Sequence, residues 1–123
     1  MSELIRVVVA EDNDDLRAVM EPLINSEADM RCVASTAHGE EVGPLITQHE
    51  ADVAVLDIQL RDGSVLARLP GLRENHPARF IIHSGHSNPE LKRRAMEAGA
   101  AAFVLKSGDI DELIAAIRSV AIR

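Results

Sequence analysis

Polar side chains stand where four short apolar runs of the sequence end. Glu11 and Asp12 follow the first run, Asp57 follows the third, Ser84 follows the fourth and Lys106 follows the fifth. Three carboxylates brought together would repel one another unless a cation lay among them. Oxygen ligands favour a hard ion that keeps part of its water, so Mg²⁺ is the predicted cofactor. An aspartate beside such an ion can attack phosphorus, while a lysine and a hydroxyl bind the phosphoryl oxygens.

The apolar runs have the pattern of strands that are buried on both faces. Residues 4–10 form a short run rich in β-branched side chains, as such strands do. The predicted strands are residues 4–10, 30–34, 53–56, 79–83 and 102–105. The polar side chains listed above therefore follow the first, third, fourth and fifth predicted strands.

Amphipathic segments lie between the predicted strands. The first helix is predicted after the capping oxygens of residues 12–15, because apolar residues recur at helical spacing from Leu16 to Ile24. Further helices are predicted up to about residue 48 and over residues 64–75, 89–98 and 109–121. Pro70 lies within the third of these helices, where a proline breaks or kinks the backbone.

Five strands that alternate with five helices predict a single α/β domain. Right-handed crossovers then place helices on both faces of a doubly wound parallel sheet. In such folds ligands bind at the carboxyl ends of the strands, near the point where the strand order reverses. The acidic, hydroxyl and lysine side chains are expected at that edge of the sheet.

Composition narrows the class of protein. The chain has 123 residues, which suits one compact domain, and 13 basic against 20 acidic side chains give a net charge of −7. An acidic surface argues against direct binding of nucleic acid, which requires a basic patch. No apolar run approaches the roughly 20 residues that cross a bilayer. The single cysteine, Cys32, and the lack of a signal peptide suggest a reducing cytoplasm.

Each candidate residue also has a purely structural interpretation. Asp12 by itself is typical of a helix N-cap, and Ser84 with the glycine after it is ordinary turn sequence. Asp57 is compatible with strand-end chemistry before a turn, Lys106 with a solvated loop, and Glu11 with a surface position. The structural interpretation fails for the set, because chance would have to place acids at two strand ends, a hydroxyl at another and a lysine at a fourth.

At these spacings the sequence resembles the response-regulator receiver family, from Ile5 to Val120. Glu11-Asp12 is similar to the acidic pair of the family, and residues 57–63 resemble the segment that carries its phosphoacceptor. His83-Ser84-Gly85 matches the strand end that bears a hydroxyl and a small residue, and residues 98–106 match the approach to its lysine. The resemblance implies one receiver domain over residues 1–123, with a flavodoxin-like (βα)5 fold of strand order 2-1-3-4-5.

The resemblance implies a role for each matched residue. Asp57 is expected to accept a phosphoryl group from a histidine of a kinase or phosphotransfer protein. Asp12 and Asp57 would ligate Mg²⁺, with Glu11 acting through a bound water and Gln59 through its backbone carbonyl. Lys106 would pair with a phosphoryl oxygen. The domain would be a phosphoacceptor that takes part in its own phosphorylation and dephosphorylation, and not an enzyme.

The same resemblance implies a conformational switch on phosphorylation. Ser84 would move to hydrogen-bond a phosphoryl oxygen, Phe103 would swing inward with it, and Gly85 would leave room for the phosphoryl group. Phe103 could equally be a core aromatic. Phosphorylation adds charge and acceptor oxygens, and only contacts that differ between two states can shift their populations.

The implied partners are proteins. A sensor histidine kinase or histidine phosphotransfer protein would supply the phosphoryl group, and an output protein or domain would bind the face of the fourth helix, fifth strand and fifth helix. The domain could also form a homodimer. The domain is expected in the cytoplasm, without direct binding of nucleic acid or membrane.

The sequence departs from the family pattern at several positions. Arg61 and Ser107 replace residues that are commonly proline, and the bond before Ser107 is often cis in the family. Gln59 and His86 flank the expected phosphoryl site and are predicted to tune the phosphate lifetime, in a direction that the sequence does not reveal. None of these departures removes an essential group.

Other functions fit less well. A phosphohydrolase of the haloacid-dehalogenase type would need a second aspartate as general acid, where this chain has Gln59. A flavin-binding module would want a phosphate-cradling loop after the first strand, where residues 11–15 are mostly acidic. Two alternatives remain within signalling: the receiver half of a larger regulator with a helix-turn-helix output domain, and a degenerate receiver that acts only as a docking surface.

Overall fold

The structure is a five-stranded parallel sheet between two layers of helices. This computed structural model describes residues 3–121. The strands of the sheet are β1 (Ile5–Ala10), β2 (Met30–Thr36), β3 (Val53–Leu56), β6 (Arg79–Ser84) and β7 (Ala102–Leu105), and a small hairpin is formed by β4 (Gln59–Leu60) and β5 (Gly63–Ser64). The helices are α1 (Asp14–Asn25), α2 (Val42–His49), α3 (Leu69–Asn75), α4 (Pro89–Ala98) and α5 (Ile110–Val120), with 3₁₀ turns at Gly39–Glu41 and Val65–Ala67. Within the described residues, no helix has the length and apolar character that a bilayer span requires.

The strand order confirms the predicted doubly wound topology. Neighbouring strands follow the order β2-β1-β3-β6-β7, which is 2-1-3-4-5 when the five strands of this sheet are counted alone, and all four pairings are parallel. The order reverses between β1 and β3, so the carboxyl ends of these two strands flank the crevice where such folds bind ligands. The ends of the predicted domain, residues 1–2 and 122–123, lie outside the described residues.

Successive side chains of the central strands point to opposite faces of the sheet and divide the core into two layers. In β1 the side chains of Val7 and Val9 face α1 and α5, whereas those of Val8 and Ala10 face the layer of α2, α3 and α4. Both sets are almost fully buried, which explains why these strands read as continuous apolar runs. Burial of this surface on both faces holds the strand ends in place.

The third helix begins later than predicted. The sequence predicted a helix over residues 64–75, but Val65–Ala67 forms a 3₁₀ turn and α3 begins at Leu69. Pro70 therefore lies in the first turn of α3, where a missing backbone N–H costs no helical hydrogen bond. The proline sets the start of the helix instead of kinking its interior.

Three further details differ from or add to the sequence prediction. The N-cap of α1 is Asn13, whose side chain accepts a hydrogen bond from the Leu16 amide at 3.0 Å, so Asp12 is not the cap. The hairpin of β4 and β5 was not predicted, because two-residue strands carry no periodicity. No peptide bond within residues 3–121 is cis, so the bond between Lys106 and Ser107 is trans.

Replacement of Ile24 by alanine tests the layer formed by α1 and α5. Ile24 is fully buried, so we expect Ile24→Ala to lower the free energy of unfolding by about 2–5 kcal/mol. Val19 lies on the same helix with 51% exposure, and Val19→Ala should change it by less than about 0.5 kcal/mol. Urea unfolding followed by circular dichroism measures both values, and equal losses would contradict the assignment of the buried face.

Candidate functional site

The predicted site residues meet at one edge of the sheet. Backbone hydrogen bonds continue the sheet just beyond its last paired residues: the Asp57 amide donates to the Ala10 carbonyl at 2.8 Å, and the Lys106 amide donates to the Ser84 carbonyl at 2.7 Å. The Glu11 amide donates to the next strand in the same way. These bonds fix where each side chain leaves the backbone, so the packing of the sheet determines the geometry of the site.

At the centre of the site one ammonium lies between two carboxylates. Lys106 Nζ is 2.8 Å from Glu11 Oε1 and 3.2 Å from Asp57 Oδ1. The second carboxylate oxygen of Glu11 accepts a hydrogen bond from the Asn13 amide at 2.9 Å. Only 2% of the Glu11 side chain is exposed, against 14% for Asp57 and 22% for Lys106. Glu11 is therefore the buried anchor, and Asp57 is the carboxylate that solvent reaches more easily.

The charges in this group are not balanced. Burial raises the pKa of Asp57 above its ordinary value, the negative charge of Glu11 raises it further, and Lys106 only partly opposes them. Burial disfavours the charge on Lys106, but the hydrogen bond to Glu11 and the charge of Asp57 together raise its pKa. One ammonium thus does not fully compensate two carboxylates, and additional positive charge would stabilise the site.

The remaining predicted metal ligands lie farther out. Asp12 and Gln59 are exposed, and Asp12 Oδ1 is 3.8 Å from Arg61 Nε. Within residues 3–121, no three Asp, Glu, His or Cys side chains are already arranged as a metal centre. The donor set nevertheless fits a hard divalent cation, because all of its donors are oxygens and the raised pKa of Asp57 indicates a deficit of positive charge.

The hydroxyl of Ser84 is turned toward its own loop. The side chain is buried, and its oxygen accepts a hydrogen bond from the His86 amide at 3.1 Å. An added Cβ at Gly85 would meet no atom within 4 Å, so there is open space beside Ser84. Phe103 is half-buried against the layer of α2, α3 and α4 and lines a shallow groove with Lys92 and Glu112. The structure therefore brings Ser84 and Lys106 to the same edge, with Phe103 inside the neighbouring strand.

Two residues near the site carried no functional interpretation in the sequence. His83 is buried, its Nδ1 atom has no hydrogen-bond partner among the described residues, and burial together with the charge of Lys106 lowers its pKa to about 4. Asp62 accepts hydrogen bonds from the Gly39 and Glu40 amides at 2.6 and 2.9 Å, which lower the pKa of its carboxyl group. A histidine within an apolar strand was the available signal for His83, whereas Asp62 looked like an ordinary turn residue.

Comparison with known proteins identifies the family. The family model described as "Response regulator receiver domain" matches residues 7–118. The chain belongs to this family. The receiver domain is 33% identical to the uncharacterized transcriptional regulatory protein YvfU of Bacillus subtilis, over 94% of this chain and 58% of that protein. It is 29% identical to the transcriptional regulatory protein DesR of the same organism, over 95% of this chain and 58% of DesR.

Solved structures agree with this assignment. The receiver domain of the putative response regulator NarL from Mycobacterium tuberculosis superimposes with a TM-score of 0.90 at 28% identity, over 97% of both chains. A DNA-binding response regulator of the LuxR family from Staphylococcus aureus gives a TM-score of 0.88 at 30% identity, over 97% of this chain and 100% of that chain. The predicted family and fold are thereby confirmed. The chain spans little more than half the length of the curated relatives that it matches, 54–58% in the matches to YvfU, DesR and NreC.

Replacement of Asp57 by asparagine tests the charge imbalance. The pKa of Asp57 is raised in the folded state, so its ionisation destabilises the fold as the pH rises from the ordinary value of 3.8 through the folded value. We therefore expect Asp57→Asn to increase the urea midpoint at pH 7 in the presence of chelator. The gain should shrink as the pH falls toward 3.8.

Asp14 provides a control of opposite sign. A hydrogen bond from Arg17 lowers the pKa of Asp14, so its ionised form stabilises the fold above its ordinary pKa, and that contribution is lost as the pH falls through the lowered value. Asp14→Asn should therefore reduce the urea midpoint at pH 7. A loss of stability in Asp57→Asn under the same conditions would contradict the electrostatic account of the site.

Proposed function

We propose that this receiver domain accepts a phosphoryl group on Asp57 in a Mg²⁺-dependent reaction. The observation that carries the proposal is the position of Asp57 at the carboxyl end of β3, 3.2 Å from Lys106 Nζ and more accessible than Glu11. A carboxylate oxygen of Asp57 forms the new bond to phosphorus, and the bond from phosphorus to the donor breaks, with its electron pair leaving on the donor histidine. Lys106 is adjacent to Asp57 and can bind a phosphoryl oxygen.

The acidic residues would hold the metal ion. Asp12 and Asp57 would supply carboxylate oxygens, Glu11 would act through a water, and Gln59 would contribute its backbone carbonyl. Bound Mg²⁺ supplies positive charge that offsets the charge on the transferring phosphoryl group. The deficit of positive charge around Asp57 supports this assignment. With Mg²⁺ bound, Lys106 would no longer have to neutralise both Glu11 and Asp57 and could bind the phosphoryl group.

A change at Ser84 and Phe103 would carry the signal. The Ser84 hydroxyl now donates a hydrogen bond to the His86 carbonyl at 3.3 Å, and a phosphoryl oxygen would offer it a charged acceptor instead. Phe103 is half-buried and lines a groove between α4 and α5, so an inward swing of its ring would change the shape of that groove. We propose that the two residues move together and alter the face of α4, β7 and α5, which output partners or a second copy would bind.

The phosphoryl donor in this proposal is a sensor histidine kinase or a histidine phosphotransfer protein, as for the family. The domain acts as a phosphoacceptor that takes part in its own phosphorylation and dephosphorylation. Its position in the cytoplasm remains a prediction from the sequence.

A DNA-binding output is the second candidate function. Its support is that the matched relatives include transcriptional regulatory proteins of which the aligned region makes up only 58%, and a solved relative is described as a DNA-binding response regulator. We expect the open reading frame that encodes these residues to continue into a helix-turn-helix segment. Sequencing through the 3′ end of the reading frame tests this, and a stop codon directly after residue 123 would favour a receiver that works by docking alone.

The decisive measurement for the primary proposal is intact mass after incubation with Mg²⁺ and acetyl phosphate. We expect the parent chain to gain the mass of one phosphoryl group, because Asp57 is the reachable carboxylate beside Lys106. The gain should be stable in acid, labile in base and blocked by chelator.

Two variants complete this experiment. Asp57→Ala should show no gain, whereas Asp15→Ala, which removes an exposed aspartate from the first turn of α1, should be phosphorylated like the parent. Absence of phosphorylation in the parent with any small donor, or equal phosphorylation of Asp57→Ala, would refute the proposal. The chain would then be a phosphate-independent docking domain.

A further inference from the structure

Arg61 extends from the loop after Asp57 to the start of α1. Its Nη2 atom is 2.5 Å from Asp14 Oδ1, and its Nε atom is 3.8 Å from Asp12 Oδ1. The arginine and Asp12 are both close to half-exposed, at 44% and 49%. The guanidinium therefore lies beside the outer carboxylate of the proposed metal site, while Lys106 occupies the inner part.

The backbone holds Arg61 in this position. Its amide donates a hydrogen bond to the Ala37 carbonyl at 3.0 Å, and the neighbouring Asp62 carboxylate accepts from the Gly39 and Glu40 amides. Arg61 also lies between the two strands of the β4–β5 hairpin. These hydrogen bonds anchor the loop to the segment after β2. They therefore fix the backbone from which the Arg61 side chain extends toward α1.

Three protein cations lie beside these acidic residues, and one of them, Arg17, pairs with Asp14 at 2.7 Å. Lys106 contacts Glu11 and Asp57, and Arg61 contacts Asp14 and approaches Asp12. A divalent cation that binds Asp12 must compete with the guanidinium for the same carboxylate, since both are attracted by its negative charge.

We propose that Arg61 weakens Mg²⁺ binding by competing for Asp12. The inference rests on the proposed metal site but concerns the concentration at which the site fills, not whether it fills. Asp14 supports the competition, because its contact with Arg61 keeps the guanidinium near Asp12 even when Asp12 turns away. Arg61 therefore sets how much free Mg²⁺ is needed before Asp57 can react.

Calorimetric titration of the 123-residue chain with MgCl₂ tests this role directly. The replacement is Arg61→Ala, because alanine retains the amide that donates to Ala37. We expect the variant to bind Mg²⁺ about two- to fivefold more tightly than the parent, the range that an exposed ion pair of this kind supports. The titration is done at about 0.15 M salt, where charges farther away than about 8 Å are largely screened.

Arg68→Ala is the matched control. Arg68 follows on the same segment and pairs with Asp62 at 3.3 Å, so its removal changes the net charge equally without touching Asp12. Its Mg²⁺ affinity should equal that of the parent. Equal affinity of Arg61→Ala and the parent, or equal tightening in both variants, would overturn the role of Arg61.

The outcomes separate this inference from the proposed function. A parent chain that binds Mg²⁺ and is phosphorylated, but whose affinity does not depend on Arg61, would refute only the competition. A parent and an Arg61→Ala variant that both fail to bind Mg²⁺ would overturn the metal site and the inference together. Urea unfolding in chelator verifies that both variants are folded, so that a change in affinity is not a consequence of local unfolding.

Discussion

The placement of one lysine ammonium between two carboxylates organises the functional edge of this receiver domain. Glu11 is almost completely buried, and a buried carboxylate is costly unless it is paired and hydrogen-bonded. Lys106 and the Asn13 amide meet that requirement from opposite sides. Asp57 shares the same ammonium and receives less than full compensation. The charge of Glu11 is thus compensated, whereas further positive charge beside Asp57 would stabilise the site.

This arrangement depends on the sheet. Lys106, Asp57 and Glu11 come from three different strands, and each strand end is tied to its neighbour by a backbone hydrogen bond of 2.7–2.9 Å. The strands in turn are held by apolar layers on both faces, which leave little room for displacement. An error of one residue in register would exchange the two faces of a strand and move the polar residue away from the site. The precision of the site is therefore a property of the core.

The sequence predicts what is periodic or placed at strand ends, and misses what arises from contacts between distant segments. The five strands, the sheet order and the gathering of Asp57, Ser84 and Lys106 follow from apolar patterning and from the family resemblance. The contact from Arg61 to Asp14 does not, because its partners are 47 residues apart and joined only by the fold. The orphaned Nδ1 of His83 was equally invisible, since burial of a polar atom depends on all its neighbours. The start of α3 could have been placed better, because proline is favoured in the first turn of a helix.

The cations of the site belong to long, flexible side chains, and this has a functional consequence. A fixed partial charge, such as a helix N-terminus, stays beside the acids in every state and cannot change partners. Lys106 and Arg61 can instead withdraw from one carboxylate while they keep another, because each contacts or approaches two acidic residues. Exchange of partners then costs less than the full desolvation of an unpaired charge. In the proposed function, the receiver domain could thus yield its acidic residues to Mg²⁺ and a phosphoryl group without leaving either cation unpaired.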